Sequence, residues 1–274
     1  MQQMSFRECA ARSWGSAWSI LARMPFFLIF YVAALACTFA LPHLLPGMTS
    51  TDNLADTMPA SAPALSAMNL VRVVINSLLA IKIHRMVLLG EGETPLFPTQ
   101  GRALLRYFGL YLLIGVVTLM LGLLAILAGK LLFSARFGLP LAVIAALAVG
   151  LFLATRISLL FSALALGSRF ALKAAWRDSR SHAWWIAGIM CIVTIPPMVI
   201  GVAVAVAANP LLADTQPAQR LMLTVAGQSL LSVLMSTLSA TALSWLYIRF
   251  ARELRGLVET ASTVDVPREN GRSE

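Results

Sequence analysis

Carboxylates are scarce in this chain of 274 residues, and none of them falls inside an apolar run. The 12 acidic residues, from Glu8 through Asp178 to Glu274, all sit in polar segments between or beyond those runs. Coupling to protons or sodium inside a bilayer usually relies on a buried carboxylate, and metal-dependent hydrolysis needs clustered carboxylates or histidines. Both mechanisms lose support. His43, His84 and His182 stand apart at run ends or in a loop, and Cys9, Cys37 and Cys191 show no paired spacing. Neither a zinc site nor a disulfide framework is indicated. A phosphate-cradling glycine loop and a nucleophile elbow are also missing, and Gly90-Glu91-Gly92 reads as a turn because no strand precedes it. The sequence therefore assigns no catalytic residue, cofactor or metal, and it reads as non-enzymatic.

Long polar segments are lacking as well. Charged residues make up 12% and apolar residues 59%, whereas soluble domains carry about 25% charged residues. The longest polar pieces, residues 1–23, 46–60 and 251–274, are each shorter than the roughly 50 residues an independent domain needs. What is there is an all-α integral membrane protein: six transmembrane helices as three helical hairpins, with amphipathic interfacial segments on the cytoplasmic side. The expected spans are residues 24–45, 60–83, 107–128, 137–155, 184–208 and 221–248. Residues 1–23 read as an interfacial helix with Phe6, Ala10, Trp14, Ala17 and Leu21 at helical spacing, and residues 251–274 read as a polar, disordered tail. Residues 157–168 form a second uncharged run too short to cross again, so they either re-enter or extend the fourth span.

Two seams of small residues allow close helix approach: Gly115, Thr118, Gly122, Ala125 and Gly129 in the third span, and Ser232, Ser236, Ala240 and Ser244 in the sixth. Pro196-Pro197 should kink the fifth span. Lys and Arg split 17 to 3 between expected cytoplasmic and outer segments, which places both termini in the cytoplasm of a multi-pass inner-membrane protein. The net charge of +9 is thereby explained by membrane topology, without nucleic acid.

Two arginines break the apolar runs. Arg72 shares one face of the second span with Asn69 and Asn76, at spacings of three and four residues. A charge at that depth is expensive and marks a candidate ligand site, with Gln228 and Thr224 of the sixth span within reach across a bundle. The plainer reading is that it snorkels to headgroups or pairs with carbonyl groups. Arg156 lies near the inner interface with Ser158 behind it, suited to hold a lipid phosphate bidentately or to anchor topology. The basic run Arg169, Lys173, Arg177, Arg180 follows it, interleaved with Phe170 and Trp176. Between two spans such a run lies on the anionic inner leaflet, where each basic residue contributes about 1 kcal/mol.

Several short motifs then coincide: Ser5-Phe6 with Trp14, the run His84-Arg85-Met86-Val87-Leu88-Leu89-Gly90-Glu91, Arg156-Ile157-Ser158-Leu159, Ala163-Leu164-Ala165-Leu166-Gly167, and Ala175-Trp176. Together they resemble the multi-span membrane domain associated with glycerophosphoryl diester phosphodiesterases and its stand-alone bacterial inner-membrane relatives. The likeness covers nearly the whole layout. It departs at Ser162-Ala163, where that family usually has a proline-alanine pair. The resemblance does not carry phosphodiesterase activity here, because in such proteins the chemistry belongs to a separate soluble domain with acidic and histidine metal ligands.

Two expectations follow. The leading one is a non-enzymatic scaffold or accessory subunit that meets anionic inner-leaflet lipid, and possible protein partners, through Arg156 and the basic segment. The alternative is a transporter or permease component with a polar midplane pocket around Arg72, Asn69, Asn76 and Gln228.

Overall fold

The computed structural model describes residues 5–44, 62–90, 101–132, 138–168, 170–213 and 215–256. Among them the chain is all-helical: α1 (Phe6–Arg23), α2 (Pro25–Leu44), α3 (Ala62–Leu89), α4 (Gly101–Leu132), α5 (Gly138–Ala165), α6 (Leu172–Ser179), α7 (Ala183–Ala213) and α8 (Pro217–Phe250). Six of these, all but α1 and α6, are long and apolar enough to cross a membrane. Their outer surfaces agree with that reading. Phe26, Leu105 and Val206 expose 87, 71 and 69% of their surface, which suits hydrocarbon and not water.

Two helices, α3 and α5, end at glycines, beyond the charges that mark the expected interface. The second span was expected to stop at Ile83, yet α3 runs through Lys82, His84 and Arg85 to Leu89. Lysine and arginine are good helix formers, so charge alone does not stop a helix. Gly90, with φ +66°, does. Likewise the fourth span was expected over residues 137–155, but α5 continues through Arg156 to Ala165 as one helix. Residues 157–165 therefore extend the fourth helix. It closes in a Schellman motif: Ser168 N–H donates to Ala163 O at 3.1 Å and Gly167 N–H to Leu164 O at 2.9 Å, with Gly167 at φ +87°. Arg106 of α4 donates Nη1 to the carbonyl oxygens of Gly167 and Ser168, at 3.3 and 2.9 Å, which places a cation at the negative end of the helix.

The chain divides into two compact units, one of α1–α3 with Gly188–Ala242 and one of α4–α6 with the residues up to Ala187 and from Leu243 onward. In the first unit α1 packs on α2 and α2 on α3. Ser5 caps α1, its Oγ accepting from Glu8 N–H at 3.2 Å, and the helix breaks at Met24 just before Pro25, a residue suited to the first position of α2. The buried face of α1 is Cys9, Ser13, Ala17 and Ile20. Of the expected stripe Phe6, Ala10, Trp14, Ala17 and Leu21, only Ala17 belongs to this face, and the other four are half-buried. Small side chains let the helix approach closely, and Ser13 satisfies its hydroxyl on Cys9 O at 2.8 Å. The unit's core joins Ile20 of α1, Phe27, Leu28, Tyr31 and Leu35 of α2, Leu79 and Ile83 of α3, and Val233 and Ala240 of α8.

In the second unit α4 packs along α5 and α5 against α6. Thr118 meets Gly150, where an added Cβ would lie 3.8 Å from the threonine methyl. Of the seam expected on α4, Thr118 makes this contact, whereas a Cβ on Gly115 or Gly122 would meet nothing within 4 Å among the described residues. Tyr107 and Tyr111 instead hold α5 through Phe161, with ring centroids 4.9 and 5.6 Å away.

Candidate functional site

The two arginines singled out from sequence have opposite surroundings. Arg72 is fully engaged inside the first unit. Its Nη2 donates to Thr38 O at 2.7 Å, Nε to Thr38 Oγ1 at 3.3 Å and Nη1 to Asn69 Oδ1 at 3.0 Å, while the guanidinium sits 4.2 Å over the Phe39 ring. The reason lies four residues down α2. Pro42, inside that helix, has no N–H to donate to Thr38 O, so the carbonyl is left open and Arg72 fills it.

The expected polar pocket does not assemble around Arg72. Asn69 joins it, but Asn76 turns to α8, where its Oδ1 accepts from Ser236 Oγ at 3.0 Å. Gln228 is exposed on α8, and Thr224 spends its hydroxyl on Arg220 O at 2.8 Å. Ser229 and Thr237 likewise bond the carbonyls of Val225 and Val233 in their own helix.

Arg156 belongs to the second unit and is built differently. The 28-residue helix α5 carries it one turn after Phe152, and α6 brings Trp176 against it: the guanidinium carbon is 5.0 Å from the Phe152 ring centroid and 5.3 Å from that of Trp176. The two rings meet edge-on at 6.1 Å. Ser179 fastens α6 in place by donating to Arg156 O at 3.0 Å. Yet Nε and Nη1 of Arg156 are buried with no hydrogen-bond partner among the described residues. Ser158, expected to assist, donates instead to Thr155 O at 2.8 Å.

Short helix α6 buries Ala174, Ala175 and Ser179 and turns Lys173, Trp176, Arg177 and Arg180 outward, flanked by exposed Phe170 and Leu172. Arg177 pairs with Glu253 at 3.6 Å across an exposed surface. Asp178 accepts from the amides of Glu253 and Leu254, each at 3.1 Å, and so ties α6 to the turn after α8. Arg169 lies outside the described residues, as do residues 46–60 and 257–274. Among the described residues no three His, Cys, Asp or Glu side chains are grouped to hold a metal.

The remaining arginines sort by the same criterion. Arg106, Arg220 and Arg255 donate to oxygens of Ser168, Asn209 and Tyr247, and Arg12 pairs with Glu8. Among the described residues, the guanidinium groups left with buried, unpartnered nitrogens are those of Arg156 and Arg249. Sequence reading missed Arg249, which looked like one of five basic residues in and before the tail. Comparison of the chain with protein-family models, with curated proteins and with solved structures finds no match.

Proposed function

We propose that this multi-pass membrane protein engages anionic lipid headgroups through Arg156 and the exposed face of α6, as a non-enzymatic interfacial scaffold or accessory subunit. The observation that carries the reading is the state of Arg156. Stacking on Phe152 and Trp176 contributes about 0.5–2 kcal/mol. Each buried charged donor left unmade costs about 1–3 kcal/mol or more, and Arg156 has two. A phosphate oxygen arriving at the guanidinium offsets that deficit with charge-assisted hydrogen bonds. Arg72 has no such deficit, so its charge serves helix packing in this reading.

The face of α6 fits an interface. Phe170, Leu172 and Trp176 supply apolar and amphipathic contact, and Lys173, Arg177 and Arg180 supply positive charge. The 17 to 3 charge bias supports placing this face in the cytoplasmic leaflet of a bacterial inner membrane, with both termini on that side and the six long helices paired as three hairpins. The motif likeness to the membrane domain associated with glycerophosphoryl diester phosphodiesterases belongs to the same proposal.

Native mass spectrometry of the full-length protein in phosphatidylglycerol-containing micelles tests it. Wild type and Arg72→Gln are expected to retain anionic lipid, and Arg156→Gln to lose at least one equivalent. Equal retention by all three overturns the reading.

A further inference from the structure

Arg249 repeats the arrangement of Arg156 at a separate place in the second unit. It is the penultimate residue of α8, where the exposed carbonyls of the helix end favour a cation. Its guanidinium carbon lies 3.9 Å above the Trp185 ring and 5.0 Å from the Phe250 ring centroid. The shelf is itself braced: Trp185 meets Phe250 edge-on at 5.7 Å, and the His182 ring lies 4.3 Å from that of Phe250. Backbone bonds from Arg180 N to Arg177 O and from His182 N to Ser179 O form the turn that delivers His182 and Trp185 from the end of α6. The flat face of Arg249 is thus held by aromatic rings. Its Nη1 is nevertheless buried without a hydrogen-bond partner among the described residues.

A guanidinium fixed by its face keeps its edge for a planar or tetrahedral oxyanion, the fork geometry that matches phosphate. Among the described residues, the two carboxylates of the adjoining segments do not supply that anion. Asp178 is committed to two backbone amides and Glu253 to Arg177, while Arg180, Arg252 and Arg255 add further positive charge. We infer that Arg249, on its Trp185–Phe250 shelf, is a second phosphate-binding site, which takes the phosphate group of an anionic glycerophospholipid. It shares the chemistry proposed for Arg156 but stands on different residues, so either assignment can fail alone.

The test counts phospholipid on the full-length protein in phosphatidylcholine nanodiscs titrated with phosphatidylglycerol. Arg249→Gln is expected to bind one equivalent fewer than wild type, or to hold that equivalent at least tenfold more weakly. Arg156→Gln should lose a different equivalent, and the double variant both. Arg249→Lys should recover only part of the loss, because a point charge replaces the fork. If Arg249→Gln does not fold, Trp185→Leu, which keeps the charge and removes the shelf, is read in the same way. An Arg249→Gln protein that binds as much phosphatidylglycerol as wild type overturns the inference, whatever Arg156→Gln does. Sodium phosphate in a parallel titration separates the sources: retention of the lipid equivalent supports a headgroup site, whereas its displacement at millimolar phosphate overturns the lipid assignment in favour of free phosphate.

Discussion

Arg72 donates Nη2 to the carbonyl oxygen of Thr38 at 2.7 Å, the acceptor that Pro42 leaves open in α2. The charge thus repairs a defect that proline makes in a neighbouring helix, and the two should be coupled. Arg72→Met is expected to cost about 2 kcal/mol, since it orphans a carbonyl and the Asn69 amide oxygen. In a Pro42→Ala background the restored N–H takes Thr38 O, and the same substitution should cost about 1 kcal/mol less. Thermal unfolding of the four purified proteins measures the cycle. Strict additivity would sink the proline-repair account.

Gly167 provides a second check on helix termination. At φ +87° it closes the Schellman motif of α5, a conformation that costs a residue with a Cβ about 1–2 kcal/mol. Gly167→Ala should lower stability by that amount, and Arg106→Ala, which removes two donors to the same turn, should lower it further in the double variant. An unchanged unfolding midpoint in Gly167→Ala would mean that the turn is not fixed as described.

The six long helices were legible because twenty or so consecutive apolar residues have few other uses. The first span was legible to within a residue, at Pro25–Leu44 against 24–45, but the ends of α3 and α5 were not. Charge marks where a span meets water, but α3 and α5 stop where Gly90 and Gly167 supply left-handed backbone, well past Lys82 and Arg156. The buried face of α1 was legible only at Ala17: Cys9, Ser13 and Ile20 were passed over in favour of Phe6, Trp14 and Leu21, although the small size of Cys9 and Ser13 is what permits close packing. Arg72 was recognised as unusual, and its pairing with Asn69 and with a carbonyl group was legible, but which carbonyl was not. The signal was present in Pro42, whose absent N–H opens the carbonyl four residues earlier. Arg249 was hidden among tail charges, and Trp185 with Phe250 was the clue that it is held in place.

The carboxylate of Asp178 caps the turn at residues 253–256 from another helix, with one oxygen on each of two amides. Asp178→Ala should therefore release that turn, at about 1 kcal/mol, the usual scale of a lost N-cap. Glu253→Gln removes only an exposed pair at 3.6 Å and should cost much less. Hydrogen exchange at the amides of Glu253 and Leu254 reports the difference directly. Faster exchange in Glu253→Gln than in Asp178→Ala would reverse the assignment of what holds the turn.

Lipid engagement by α6 should follow charge and salt. Lys173 and Arg180 are exposed and not committed to an acidic partner within α6, so each neutral substitution should weaken binding to phosphatidylglycerol vesicles about fivefold, from roughly 1 kcal/mol per basic residue near an anionic surface. Raising ionic strength from 0.1 to 1 M shortens the screening length from about 10 to about 3 Å, and should erase most of that difference. The Arg156 contribution should persist in high salt, because two of its nitrogens are already shielded from solvent by Phe152, Trp176 and their helices. Vesicle flotation of wild type, Lys173→Gln, Arg180→Gln and Arg156→Gln at both salt levels separates the two components. A loss in Arg156→Gln that vanishes at 1 M salt would demote Arg156 to one more surface charge, and would leave the face of α6 alone to account for binding.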